Sequence, residues 1–480
     1  MAVARKIAYN VVFITIAKIS STVLALVAIG FITRYLGTEG FGNYATVLAF
    51  FSFFGAFADL GLYSVATREI SRAGANEEKI MGNIFSLRML SSLVVVLISP
   101  LVFFLPYSNE LKIGIMIAAV SFVFSASYTV LNGVFQKNLA MDKVATVEFL
   151  GKAIQLAIII FAVKENLGFT MIIASLLAYM IFNFAIVFLW SRKYLKFKLE
   201  IDVAYWKKFI KESLPMGIAV AITFLYFKMD TILLSLLKGS ADVGIYNAAY
   251  KIIENITFFP GMIVGLTLPL TSRYIFSERK RFEEISNKTF KVFIILVVPL
   301  VVGTLFLAEG VIQLIGGAGF AQSANILRIL IFALVFMFFG NFSNGILLAG
   351  NLQKKLMIAL SVCAAFNIGA NLVLIPVYSY EGAAVVSVAT EFLVVSLTFY
   401  LLAKNLKYKP SYEHAVRILF SGSMMALFLF LFRGSNFFFL ALAGTGVYCL
   451  FLWITRAIAS QEILSIISRK DAPPVVKLEQ

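Results

Sequence analysis

The chain has 480 residues, of which 61% are hydrophobic and 14% are charged, whereas ordinary globular proteins carry roughly 25% charged residues. The mean hydropathy is +0.93 and the formal net charge is +16. These values predict a polytopic membrane protein and argue against most soluble enzymes, nucleic-acid-binding modules and disordered scaffolds, so that no nucleic-acid partner is expected.

Histidine and cysteine are scarce. The chain has one histidine, His414, and two cysteines, Cys363 and Cys449, which lie in separate apolar runs. This composition argues against histidine-based catalysis, a histidine-rich metal site and a disulfide framework. The sequence also has no nucleotide-binding P-loop. We therefore expect no metal, no cofactor and no ATP hydrolysis.

Apolar runs long enough to cross a bilayer, about 20 residues each, recur about fourteen times. The first extends from about Asn10 to Thr33, and we expect it to be retained because no small-residue cleavage site follows it. Six runs lie in the first part of the chain, six in the second and two at its end. Their centres are near Thr22, Gly55, Val94, Phe124, Leu156 and Ala178, then Phe224, Thr257, Leu296, Phe336, Phe366 and Glu391, then Met424 and Val447. The connectors are short and contain glycine or proline, and none is long enough to form a soluble domain.

The loops alternate in charge. Those on the amino-terminal side of the membrane carry most of the 41 lysine and arginine residues. The opposite loops carry five, which are Arg34, Lys112, Lys164, Lys238 and Arg433. Because cytoplasmic loops are enriched in lysine and arginine, both termini are predicted to be cytoplasmic, in a multi-pass protein of the cell membrane.

Two parts of the chain repeat. The segment from Leu36 to Tyr44 recurs as Lys238 to Tyr246, and Asn132-Gly133 recurs as Asn344-Gly345. Six helices followed by six in the same orientation are typical of a parallel duplication in transporters, with the binding site between the halves. The fold class predicted is therefore all-α, with about 14 transmembrane helices in two six-helix lobes related by a pseudo-twofold repeat, plus two C-terminal helices.

These patterns also predict domain bounds. The N-terminal lobe covers 1–195, a cytoplasmic amphipathic linker covers 196–212, and the C-terminal lobe covers 213–405. Two additional transmembrane helices cover 406–460, and a cytoplasmic tail covers 461–480.

Charged and amide side chains inside the spans are the candidate site, because a charge at the centre of a membrane helix costs roughly 2.5–3.5 kcal/mol on insertion scales. The functional interpretation is a hydrated cavity between the lobes whose cations bind an anionic headgroup. The alternative is that the charges neutralise one another, as in Glu148 with Lys152 or Lys18 with Asp59, or extend to the interface. The cavity candidates are Lys18, Lys152, Lys228, Lys251, Glu254, Asn367 and Asn371.

The opening hairpin carries a family resemblance. The segments from Arg34 to Tyr44, from Ala58 to Leu62 and from Thr67 to Glu69 resemble the first hairpin of O-antigen and teichoic-acid type polysaccharide flippases. These proteins belong to the multidrug/oligosaccharidyl-lipid/polysaccharide exporter superfamily. The segment from Gly319 to Arg328 is similar to that family's stretch before its tenth helix.

The resemblance implies a flippase rather than an enzyme. Its substrate would be a polyprenyl-diphosphate-linked oligosaccharide, a precursor of cell-surface polysaccharide, moved from the inner to the outer leaflet by alternating access. Cavity cations would contact the diphosphate, Asp59 would be the candidate for ion coupling, and the partners would be membrane lipids and glycan polymerase or glycosyltransferase machinery. Two alternatives stay open: a cation-coupled multidrug-type antiporter of the same superfamily, and a membrane glycosyltransferase or polymerase.

Overall fold

The computed structural model describes residues 2–59, 61–72 and 74–457, without the side chains of residues 2–12, 57, 59 and 64. The predicted tail at 461–480 and the side chain of Asp59 lie outside this part of the chain. Throughout the described residues the secondary structure is helical, without a strand. The all-α prediction is confirmed.

Fourteen helical segments, α1 to α14, follow one another along the chain. Their bounds are α1 Ala2–Asp59, α2 Leu62–Ile70, α3 Glu77–Ile98, α4 Asn109–Lys137, α5 Met141–Lys164, α6 Gly168–Ser191, α7 Val203–Leu237, α8 Ser240–Ile256, α9 Phe258–Tyr274, α10 Arg279–Gly316, α11 Ser323–Ala349, α12 Gln353–Leu401, α13 Ala415–Leu431 and α14 Phe437–Ile454. Short 3₁₀ turns at Ser99–Phe104 and Ala318–Phe320, and a π turn at Leu402–Leu406, extend α3, α10 and α12.

Two of these segments each contain two helices joined at a break. In α1 the break is Gly37, with φ 66° and ψ −169°, a backbone conformation that glycine adopts without steric cost. In α12 it is Ser379, with φ 48° and ψ −130°, a region that non-glycine residues rarely occupy. Both breaks therefore act as turns between consecutive membrane-length helices.

Eleven helices in the described part of the chain are long and apolar enough to cross a membrane. Two of them contain the breaks at Gly37 and Ser379. The apolar helix Ala415–Leu431 is shorter than the rest. The protein is thus a multi-pass membrane protein, and the count of fourteen spans stays a prediction with which these helices are consistent.

The chain divides into two compact units, Met1–Asn247 and Ala248–Gln480. Helix α7 belongs to the first unit, where it packs along the second helix of α1. The predicted lobe bounds, which cut the chain at the linker, stay a prediction. Of the predicted linker, residues 203–212 form the first turns of α7 and residues 195–202 have no regular secondary structure.

Inside the first unit the two repeated glycine segments contact each other. A Cβ atom added at Gly42 would lie 1.7 Å from the Ser240 carbonyl oxygen, and one at Gly244 would lie 2.0 Å from the Thr38 carbonyl oxygen. Thr38 precedes Gly42 by four residues, as Ser240 precedes Gly244. The contact is therefore reciprocal, as expected for a duplicated pair related by a twofold axis, and glycine is needed on both sides.

In the second unit α14 supplies a hydrogen-bond donor that a proline removes from α10. Pro299 has no N–H group, so the carbonyl of Ile295, four residues earlier, loses its helical donor. The Tyr448 hydroxyl of α14 donates a hydrogen bond to that carbonyl at 2.8 Å. Tyr448 is 3% exposed and belongs to a cluster with Ile418, Met425 and Leu429 of α13. Helices α13 and α14 are thereby fixed to α10.

Candidate functional site

The predicted site residues fall into separate groups, each within one unit. Lys18 on α1 is exposed, and Lys228 on α7 is half-buried. The predicted pair between Lys18 and Asp59 is untested, because the Asp59 side chain lies outside the described residues. Lys228 precedes Asp230 by two residues, so the two side chains do not share a helix face.

Lys251 and Glu254 form an ion pair on α8. The Lys251 ammonium lies 2.7 Å from a Glu254 carboxylate oxygen, and the two side chains are 15% and 35% exposed. Their spacing of three residues places both on one face of the helix. The pair is partly accessible, and Glu254 offsets the charge of Lys251.

A polar cluster connects α4, α5 and α6 in the first unit. The Tyr128 hydroxyl donates a hydrogen bond to the Glu148 carboxylate, and the Lys152 ammonium donates to the Gln155 side-chain oxygen at 2.9 Å. Lys152 also lies 4.4 Å from the centre of the Tyr179 ring, within the range of a cation–π contact. Lys152 is thus held by its neighbours on α5 and α6, a geometry that suits a structural charge as well as a substrate contact.

Asn367 and Asn371 lie between the two helices of α12. They are 1% and 0% exposed. The Asn367 amide donates to the Thr390 hydroxyl at 3.1 Å, and the Asn371 amide donates to the Asn367 carbonyl at 3.1 Å. Glu391, next to Thr390, is 4% exposed. In this conformation Asn367 links the two helices of the hairpin through Thr390, Asn371 supports Asn367 from the same helix, and neither amide is accessible to a substrate.

Another buried carboxylate has partners that sequence reasoning missed. Asp230 on α7 is 2% exposed; it accepts a hydrogen bond from the Tyr246 hydroxyl and another from the Thr231 backbone N–H at 2.8 Å. Tyr246 occupies the same position in the second repeat as Tyr44 in the first. This repeat was the one signal in the sequence that could have identified Tyr246 as a partner. The hydrogen bond joins α7 to α8 next to the Gly244 contact.

No group of three or more His, Cys, Asp or Glu side chains is arranged to hold a metal ion within the described ranges. The site residues are therefore cations, single carboxylates and amides set among apolar helices. Charged and amide side chains inside membrane-spanning helices are typical of a pathway for a polar or charged solute. Fold and site together define a membrane transporter.

Comparison with known proteins gives the family. The family model described as "Polysaccharide biosynthesis protein" matches residues 7–275, and the MatE model matches residues 215–373. Since the first match covers more than half of the chain, the protein belongs to the polysaccharide biosynthesis protein family.

Curated relatives agree with this assignment. The chain is 25% identical over 406 residues to the capsular polysaccharide biosynthesis protein CapF of Staphylococcus aureus, covering 83% of this chain and 99% of the relative. It is 23% identical over 329 residues to a putative O-antigen transporter of Shigella flexneri, covering 66% of this chain and 78% of the relative.

Two solved structures share the fold of this chain. The lipid II flippase MurJ, in an inward closed conformation, superposes with a TM-score of 0.77 at 17% identity, covering 94% of this chain and all of that one. An inward-facing multidrug resistance MATE transporter of the MOP superfamily superposes with a TM-score of 0.66 at 16% identity, covering 82% and 98%. These structures share the fold, and the predicted resemblance to polysaccharide exporters is confirmed by the family model and the curated relatives.

Proposed function

We propose that this protein moves a polyprenyl-diphosphate-linked oligosaccharide, a precursor of cell-surface polysaccharide, from the inner to the outer leaflet of the cell membrane by alternating access. The observation that carries the proposal is the family match, together with relatives named for capsular polysaccharide biosynthesis and O-antigen transport. The chain itself catalyses no covalent step in this proposal. Its termini are cytoplasmic, and glycosyltransferases or a polymerase supply and consume the glycan.

The proposed headgroup site consists of intramembrane cations. Lys18, Lys228 and Lys251 would share the diphosphate charge, with Lys152 as a further candidate. Several cations at once are expected, since water near the site weakens each single contact. Glu254 would hold the Lys251 side chain in position before the substrate arrives. Asn367 and Asn371 would act after a movement of α12, and Asp59 would couple transport to an ion.

A second function has a specific observation in its favour. The MatE model matches residues 215–373, and multidrug transporters share the fold. A cation-coupled drug antiporter would, however, need predominantly acidic and aromatic binding residues, whereas the candidates here include four lysines. A glycosyltransferase is disfavoured by the absence of a sizeable external loop among the described residues.

Reconstitution tests the function directly. The purified protein in liposomes should redistribute lipid-linked oligosaccharide between the leaflets without changing its covalent structure, measured by the accessibility of the glycan to an added lectin. Elongated or transferred glycan would indicate an enzyme. Export of organic cations with no movement of lipid-linked glycan would indicate the antiporter.

Variants at the Lys251–Glu254 pair test the headgroup site. We expect Lys251→Gln to lower flipping by about tenfold or more, because a hydrogen bond to a charged group contributes roughly 1.5–3 kcal/mol. Lys251→Arg should retain more activity, and membrane abundance should stay normal. The matched control is Lys164→Gln, which removes an exposed lysine at the end of α5 and should leave flipping unchanged.

A purely structural pair predicts a different pattern. Lys251→Gln would then lower protein abundance, and the double variant with Glu254→Gln would restore both abundance and flipping. Normal flipping by the double variant would remove Lys251 from the proposed headgroup site.

A further inference from the structure

The segment between α6 and α7, residues 195–202, is attached to α3 by Asn83. The Asn83 side-chain amide donates to the Glu200 carboxylate at 3.1 Å, and its side-chain oxygen accepts from the Asp202 backbone N–H at 2.8 Å. The Asn83 backbone carbonyl accepts from the Trp206 indole N–H at 3.0 Å. Asn83 is fully buried, so the attachment is part of the folded core and fixes the rotation of the segment.

Both acidic residues of the segment are held by contacts to α3 and α7, and the Asp202 side chain is 38% exposed. The Asp202 carboxylate lies 3.3 Å from the Lys79 ammonium and accepts the Tyr205 backbone N–H at 3.1 Å, capping α7. The hydrogen bond from the Tyr205 backbone and the one from Lys79 lower the pKa of Asp202. At Gly82 a Cβ atom would lie 2.3 Å from the Lys198 carbonyl oxygen, so the segment also runs close to α3.

Three apolar residues of the same stretch are exposed. They are Leu199 and Ile201 in the segment and Val203 at the first position of α7. These three side chains are 62%, 74% and 56% exposed. Contiguous exposed apolar side chains mark surfaces that bind a partner or a membrane.

Exposed lysines flank these apolar side chains along the chain. Lys196, Lys198 and Lys207 are exposed, and no carboxylate in the described ranges forms an ion pair with them. We call Leu199, Ile201 and Val203, together with these three lysines, the linker face. It combines apolar side chains with positive charge, and the two acidic residues beside it are engaged with Asn83 and Lys79.

The position of the linker face indicates what covers it. Helices α6 and α7 are both long and apolar enough to cross a membrane, and the segment begins four residues after α6 ends at Ser191, so we place it near the lipid headgroups. A surface at that depth with apolar side chains and lysines matches a leaflet that presents acyl chains and anionic headgroups. We propose that the linker face is a docking surface for anionic phospholipids, on the inner leaflet in the proposed orientation, with Leu199, Ile201 and Val203 inserted below the phosphates and the three lysines bound to them.

A spin label at Ile201 tests this proposal. The full-length variant Ile201→Cys, on a background with Cys363→Ala and Cys449→Ala, is labelled with a nitroxide and placed in nanodiscs. The discs contain phosphatidylcholine alone or phosphatidylcholine with phosphatidylglycerol. We expect collisions with a water-soluble nickel complex to drop sharply in the discs with phosphatidylglycerol and collisions with oxygen to rise. High salt should reduce the difference, because it screens charge.

Two controls make the result specific. The triple variant Lys196→Gln, Lys198→Gln, Lys207→Gln, carrying the same label, should lose the dependence on phosphatidylglycerol. A label at Ser71, an exposed polar position at the end of α2, should show no dependence on lipid composition.

A label at Ile201 that stays equally accessible to nickel in both discs would overturn the proposal, including the case where another protein covers the face. The measurement does not use transport. A protein that fails to flip glycan while its label is immersed would contradict the proposed function and leave the docking surface standing.

Discussion

At the scale of single residues, the hydrogen bond from Tyr448 to the Ile295 carbonyl is the contact whose loss should be easiest to measure. Tyr448→Phe removes the hydroxyl, keeps the ring and leaves the carbonyl without its donor in an apolar environment. An unsatisfied buried polar group costs about 1–3 kcal/mol, so we expect a lower midpoint of thermal unfolding in detergent.

The matched control for this prediction is Tyr400→Phe. Tyr400 is 56% exposed and its hydroxyl accepts a hydrogen bond from Lys404, so its removal should have little effect. Equal midpoints for Tyr448→Phe and the unaltered protein would mean that the Ile295 carbonyl finds another donor when Tyr448 cannot provide one.

Residue contacts were predictable from sequence where the partners are close along the chain. The spacing of Lys251 and Glu254 identifies neighbours on one helix face, and they form an ion pair. The partners of Asn83 lie 117 to 123 residues away, and those of Asp230 depend on how α7 meets α8. No local pattern encodes such contacts, because they result from helix packing in three dimensions.

At the scale of secondary-structure elements, the reciprocal contact of Gly42 and Gly244 leads to a prediction. Gly42→Ala or Gly244→Ala places a methyl group against a backbone carbonyl, which cannot rotate away. The helices must separate, at a cost of about 1–3 kcal/mol or more. We expect either variant to speed the reaction of Ser235→Cys with an impermeant thiol reagent. Ser235 lies near the end of α7, before the turn that leads to Gly244, and it is half-buried and hydrogen-bonded to Tyr107 of the connection before α4.

Gly239→Ala is the matched control, because no atom lies within 4 Å of an added Cβ there. It should leave the labelling rate of Ser235→Cys unchanged. Unchanged rates in the Gly42 and Gly244 variants as well would show that this helix crossing can accommodate a methyl group.

The elements themselves were largely predictable, because hydropathy over a window of about 20 residues is decisive for membrane helices. The glycine turn at Leu36–Gly40 contains the break at Gly37. The short helix Leu62–Ile70 was missed, since nine residues are too few for such a window. Its apolar residues Leu62, Val65, Ala66 and Ile70 recur at helical spacing and are buried together, and this pattern could have revealed it.

At the scale of the whole molecule, the distribution of lysine and arginine among the loops predicts the orientation of the protein in the membrane. On a background without Cys363 and Cys449, Ser108→Cys should react with an impermeant thiol reagent added to intact cells. Lys193→Cys should react after the membrane is permeabilised. Both positions are exposed on the protein surface, so membrane sidedness decides their reactivity. The reverse pattern would invert the orientation and the direction of transport.

The hydrogen bond between Tyr448 and Ile295 also has a consequence for synthesis of the chain. The two residues are 153 positions apart. At a rate of chain synthesis of roughly 5–20 residues per second, Tyr448 is added about 8–30 s after Ile295. Lipid tails offer the Ile295 carbonyl no donor during this interval. Helix α10 therefore inserts with one unsatisfied carbonyl that α14 later satisfies, and a chain terminated before α14 would lack the Tyr448 donor permanently.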